Sequence, residues 1–258
     1  VKLSGVDLGP WGRISGFDGL SGTANLDASL REERGQLPTA QVNGQITGIT
    51  AKAVEDLKPF EMLLDISLKD GTLEGQATLG NGDVETVSAN GTVPLAISVL
   101  EQEFSPDLGA PVSAAVRLNG EIAEFWPYVP APDHQLSGKI DLAVDVAGTL
   151  DDIRWNGDVA LTEGHYENLE YGTILDQMTL AGTFDQNGLS IPSFTATDGG
   201  NGTVKSSVDL RMLDGGEVSY DVSADLRNVA LSRKDELQFW ADVQASVTGS
   251  QSEADIKS

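Results

Sequence analysis

His134 and His165 are the only imidazoles in a chain of 258 residues. Neither has a second ligand residue at the spacing of a metal site, which leaves each a surface or structural role. The sequence has no cysteine, so disulfides, thiolate metal centres and thiol nucleophiles are ruled out. It has no Gly-x-Ser-x-Gly elbow and no glycine-rich loop leading into a lysine. Asp198-Gly-Gly-Asn-Gly202 has the composition of a calcium-binding glycine repeat, but it occurs once and reads as a tight turn. Adjacent carboxylates such as Asp151-Asp152 and Glu32-Glu33 are ordinary in an acidic chain and carry no acid–base assignment. Tyr166 and Tyr171, around Asn168 and Gly172, read as shaping a strand crossing. None of these residues points to catalysis.

The charge balance narrows the partners. Forty acidic residues face 16 basic ones, a formal net charge of −24. Such a chain repels nucleic acid and anionic bilayer surfaces, so no nucleic-acid partner is expected. The acidic residues are spread along the whole sequence, as a solvated face on every strand would require. The longest apolar run, Val93 to Leu100, is broken by Pro94 and Ser98 and is far short of the ~20 residues that span a bilayer. No signal peptide is visible. The first residue is Val1, and the chain is expected to be a fragment of a longer one, with any anchor upstream.

The remaining signal is alternation. Glycine is plentiful, at 29 residues, and aromatic residues make up 6%. Apolar-x-Gly-x-apolar units recur at Leu20/Gly22/Ala24, Val42/Gly44/Ile46, Leu73/Gly75/Ala77, Ala89/Gly91/Val93, Leu118/Gly120/Ile122, Trp155/Gly157/Val159 and Leu180/Gly182/Phe184. A period of two is that of a strand with one buried face. The pattern predicts roughly fourteen to eighteen short strands in one continuous domain, residues 1–258.

Two hairpins can be placed to the residue. Met62, Leu64, Ile66 and Leu68 are even; Leu73, Gly75, Ala77 and Leu79 are odd. A two-residue Asp70-Gly71 turn keeps all eight on one face and pairs Leu68 with Leu73 and Ile66 with Gly75. Val204, Val208, Leu210 and Met212 share parity with Val218, Tyr220, Val222 and Leu226. Equal parity requires an odd loop, and Asp214-Gly215-Gly216 supplies three residues. Residues 49–61, with Thr50 as a cap and Pro59 as a stop, read as a short helix or a helical turn in a loop. Glu101 to Pro111 and Glu121 to Gln135 interrupt the strands and are expected to pack over an edge or end of the sheet.

Apolar faces normally close on each other in a sandwich. Here Gly and Ala take many apolar positions, where they add little to a core stabilised at ~25 cal/mol per Å². Two readings follow. Either glycine lies beneath larger cross-strand neighbours in an ordinary core, or the face is a groove filled by something else, for which an acyl chain is suited.

Glu163-Gly-His-Tyr-Glu-Asn-Leu-Glu-Tyr-Gly-Thr-Ile-Leu175 and Thr195-Ala-Thr-Asp-Gly-Gly-Asn-Gly202 resemble the C-terminal half of the TamB family. Leu118-Asn-Gly-Glu-Ile-Ala-Glu-Phe-Trp-Pro127, Leu136-Ser-Gly-Lys-Ile-Asp-Leu142 and Val146-Ala-Gly-Thr-Leu150 are similar to its β-repeats. The resemblance covers about residues 112–212 specifically and the rest by repeat style, which other AsmA-like proteins share. It implies an all-β fold: an elongated, curled antiparallel sheet, or β-taco, with an apolar concave face. It also implies a periplasmic location in a Gram-negative bacterium, an inner-membrane anchor outside this chain, and a role in outer-membrane biogenesis. The implied partners are phospholipid acyl chains and an Omp85-class, TamA-like outer-membrane barrel, met through a C-terminal part beyond this chain.

The combined expectation is a non-enzymatic segment that conducts lipid, with no cofactor and no metal. Its groove walls are expected at Ile140, Leu142, Val144, Val146, Val159, Leu161, Met178, Leu180, Phe184, Val204, Val208, Leu210, Val218, Tyr220 and Val222. The alternative is a protein-assembly scaffold that templates incoming strands at its sheet edges by β-augmentation.

Overall fold

The computed structural model describes residues 1–10, 20–51, 59–81, 84–98, 100, 103–105, 107–126, 129, 131–213, 215–234, 237–250 and 253–257. The chain is all-β. Its main sheet has 15 strands and is antiparallel. The strands are β1 (Lys2–Asp7), β2 (Leu20–Arg31), β3 (Thr39–Ala51), β4 (Phe60–Lys69), β5 (Thr72–Asn81) and β6 (Val84–Pro94). After the small hairpin β7 (Ala96–Ser98) and β8 (Glu103–Ser105) come β9 (Pro111–Glu121), β10 (His134–Thr149) and β11 (Asp152–Asn168). The rest are β12 (Thr173–Asp185), β13 (Gly188–Thr197), β14 (Thr203–Met212), β15 (Val218–Lys234), β16 (Leu237–Ser250) and β17 (Glu253–Lys257). Sheet order follows chain order apart from the β7–β8 hairpin, which forms its own two-stranded sheet.

Both hairpins read from the sequence form as expected. Leu68 faces Leu73, Ile66 faces Gly75, Leu64 faces Ala77 and Met62 faces Leu79. Asp70 and Gly71 sit at φ 50° and 73°, the left-handed pair that a type I′ turn needs. In the second hairpin Met212 faces Val218, Leu210 faces Tyr220 and Val208 faces Val222. Leu213 N donates to Glu217 O at 2.7 Å, closing a three-residue loop that contains Gly215 and Gly216, both at positive φ. Of the candidate helix over 49–61, Ile49 to Ala51 end β3 and Phe60 opens β4, while residues 52–58 lie outside those described. One helical turn, α1 (Ile122–Phe125), falls in the second interrupting segment.

The contacts divide the chain into two compact units, Val1–Asn119 with Val144–Trp155, and Gly120–Ala143 with Asn156–Ser258. In the first unit the apolar residues align across strands. One row reads Leu26, Gly44, Leu64, Ala77, Ala89, Val116, and the next reads Ala28, Val42, Ile66, Gly75, Gly91, Ala114. Most of these side chains are half-buried, while their outward neighbours Asn25, Asp27, Gln41, Asn43 and Gln76 are exposed. Full burial in this unit falls on a few residues, among them Ala24, Phe60, Leu68 and Val112.

The half-buried rows of this unit remain partly open to solvent. Among the described residues no helix is long and apolar enough to cross a membrane.

Candidate functional site: an apolar face with one closed margin

In the second unit the inward residues form four rows across six strands. The first is Gly157, Phe184, Leu189, Leu210, Tyr220 and Gly249; the second is Val159, Gly182, Ile191, Val208, Val222 and Val247. The third is Leu161, Leu180, Phe194, Ser206, Ala224 and Ala245, and the fourth is Gly164, Met178, Ala196, Val204, Leu226 and Val243. Each row steps from strand to strand at about 4.8 Å, so it runs perpendicular to the strands. Ser206 is the one aliphatic hydroxyl in these rows, and it is satisfied within the sheet by donating to Ser223 O at 2.7 Å.

The rows differ in burial. All of the first row except the deeply placed Gly157, and most of the second, are half-buried. An open cleft of about 560 Å³ lies at that end, lined by Phe184, Leu189, Leu210 and Met212 and equally by polar residues such as Asp158, Thr183, Asp209 and Arg211. The fourth row is closed over from Gly164 to Val204, while Leu226 is half-buried and Val243 exposed. Leu161, Met178, Ala196, Val204 and Val229 form a buried cluster, against which Ile122, Leu136, Tyr166, Leu175 and Leu231 pack. Ile122 belongs to α1, so the segment expected over an edge or end of the sheet covers this margin. The indole of Trp126, just after α1, donates to His134 O at 2.8 Å and ties the segment down.

The predicted walls take the following places. Val159, Leu180, Phe184, Val208, Leu210, Val218, Tyr220 and Val222 are half-buried on the inner face of the second unit, as are Ile140 and Leu142 in β10. Val144 and Val146 are half-buried in the first unit. Leu161, Met178 and Val204 lie in the closed cluster. Leu189, Ile191 and Phe194 share the rows but were absent from the predicted wall. A register shift between Ile191 and Phe194, at Pro192, switches the parity of β13 and hides its alternation.

The glycines on this face are covered from across the strands. A Cβ at Gly182 would lie 2.9 Å from Ile191 Cγ1, and one at Gly44 would lie 2.8 Å from Leu26 Cδ2. Gly75 has nothing nearer than Ile66 Cγ1 at 3.9 Å. The reading of glycine beneath larger cross-strand neighbours therefore holds at Gly182 and Gly44, and Gly75 is more open.

The polar candidates have structural partners. His134 Nδ1 shares a hydrogen bond of 2.7 Å with the Tyr166 hydroxyl, and His165 Nδ1 lies 3.4 Å from Asp176 Oδ1. Asn168 Oδ1 accepts from Tyr171 N, so the tyrosine segment does shape the β11–β12 crossing. Asp198 folds its own turn, accepting from Gly200 N and Gly202 N at 2.9 Å each. The same carboxylate accepts from Ala230 N at 3.0 Å and pairs with Arg233 at 3.2 Å. Burial pushes its pKa up, but the amides of Ala230, Gly200 and Gly202 together with Arg233 outweigh this and hold it below the ordinary value. The outward face carries exposed ion pairs, including Lys139–Glu163 at 2.8 Å and Arg227–Asp225 at 2.9 Å. Among the described residues no three metal-ligating side chains gather.

Compared with family models, with curated proteins and with solved structures, the chain shows no significant match to any of the three.

Proposed function

We propose that the chain is a non-enzymatic, TamB-like segment of the Gram-negative periplasm that holds phospholipid acyl chains along its apolar face during outer-membrane biogenesis. The observation that carries this reading is the half-buried apolar row, such as Val159, Ile191, Val208, Val222 and Val247, running across one antiparallel sheet. Partition is the mechanism: each methylene withdrawn from water contributes about 0.8 kcal/mol, and no directional contact is needed. Such a surface suits a chain that must slide, because one methylene site resembles the next. Headgroups would remain in water beside the strand ends. The acidic outward face keeps the protein off anionic bilayers. On this reading the Omp85-class barrel is met through a C-terminal part and not through the rows described here.

The test is native mass spectrometry with lipid extraction on protein purified from a Gram-negative periplasm. Phospholipid should co-purify with the wild type and be lost from Val208→Asp and Leu142→Arg variants that remain folded by circular dichroism. Lipid retained by both variants would refute the groove.

A further inference from the structure

Beyond Asn228 the end of β15 is buried more deeply than the part of the strand before it. Asn228 adopts φ 50° at a register shift, with its N–H held by Asp242 Oδ1 at 2.8 Å. After this bulge Val229, Ala230 and Ser232 are all buried, at 0%, 1% and 4% exposure, so both faces of the strand are covered. The segment also reaches β12, from which two strands separate it in the sheet. Thr173 Oγ1 donates to Leu231 O at 2.5 Å, and Lys234 Nζ donates to Leu169 O at 2.8 Å.

One side chain joins this segment to the β13–β14 turn. Asp198, 2% exposed, accepts from Ala230 N, and Arg233 reaches both its carboxylate and its carbonyl oxygen. Directly inside this junction lies the margin of the apolar face, with Val229 packed on Leu161, Met178, Ala196 and Val204. We propose that Asp198 and Arg233 form a clasp that holds the end of β15 across this margin, and that its release uncovers the buried residues Met178, Ala196 and Val204 of the fourth row. The proposal rests on the lipid-groove reading for its consequence, which is that the clasp regulates how much of the face a lipid can enter. The physical basis is asymmetry. The covered segment contributes small apolar residues, Val229 and Ala230, while charge-assisted bonds to one buried carboxylate hold it in place. Local opening of such a segment costs less than unfolding the sheet.

The test uses the whole chain and two variants, Asp198→Asn and Arg233→Gln. The asparagine amide can still accept from the glycine amides but presents N–H toward Ala230 N–H. The glutamine variant leaves the turn intact and removes only the cation, so it remains informative if Asp198→Asn fails to fold. Hydrogen exchange should show the Ala230 amide losing protection by about tenfold to a hundredfold. The Val208–Val222 ladder should keep its protection. Uptake of a fluorescent phospholipid from phosphatidylethanolamine vesicles should quicken by the same factor, since it follows the population of the open form. Unchanged protection at Ala230, or loss of protection across the whole unit, would overturn the clasp. Local opening without faster uptake would overturn its regulatory role. A wild type that takes up no lipid would refute the groove itself, and exchange at Ala230 would still decide the clasp.

Discussion

Phe184 lies over Gly157, its partner across the β11–β12 ladder. A Cβ at residue 157 would sit 2.7 Å from ring Cε2, and nearer still to Cζ and to Ala143 O. Gly157→Ala should therefore lower stability by about 1–3 kcal/mol, the range for overpacking a filled site. Gly75→Ala, whose nearest neighbour would be at 3.9 Å, should be neutral or slightly stabilising because it restricts the unfolded chain. Urea midpoints of the two variants should move in different directions or by clearly different amounts.

The Asp70-Gly71 turn offers a local check of the register. Gly71 sits at φ 73°, where an L side chain is disfavoured by about 1–2 kcal/mol. Gly71→Ala should cost about that much in equilibrium unfolding, and Gly71→Asn should cost less because asparagine tolerates this region better.

Asp198 makes a prediction for pH. Its pKa is lowered in the folded protein by the amide donors and Arg233, which together overcome the burial that raises it. A carboxylate with a depressed folded pKa stabilises the fold above its ordinary range, and that contribution is lost as pH falls through the folded value. The stability difference between wild type and Asp198→Asn should be constant near neutrality. It should shrink below about pH 4, the unperturbed carboxylate range. Thermal unfolding of both proteins from pH 7 to pH 3 reads this difference.

The net charge of −24 predicts the effect of salt. Exposed pairs such as Arg211–Asp209 and Arg227–Asp225 contribute little, whereas self-repulsion acts over the whole acidic face. Raising salt from 0.01 M to about 0.15 M shortens the Debye length from about 30 Å to 8 Å. The melting temperature should rise; a fall would mean that the ion pairs outweigh the repulsion.

Much of the fold was legible because the strands are regular and the turns are short. The pairing of Ile66 with Gly75 followed from parity and an Asp-Gly dipeptide, and that of Val208 with Val222 from parity and a three-residue loop. Bulges were not legible. Pro192 shifts the parity of β13, so Ile191 and Phe194 were missed as members of the rows, and Asn228 does the same for Val229. Asp198 was read as a turn residue, which it is. Its second role depends on Arg233, a residue distant in sequence with no local signal at either end. Leu161, Met178 and Val204 are covered by Val229 and Ile122, both distant in sequence, so alternation alone placed them with the open wall.

The central claim is that the inward residues, and not their outward neighbours, meet lipid. A photo-crosslinking amino acid placed at Val208 or Val222, and separately at the adjacent outward positions Ser207 or Asp221, tests it in living Gram-negative cells. The account predicts phospholipid adducts at Val208 and Val222 and none at Ser207 and Asp221. Equal labelling on both faces, or none on either, would contradict it.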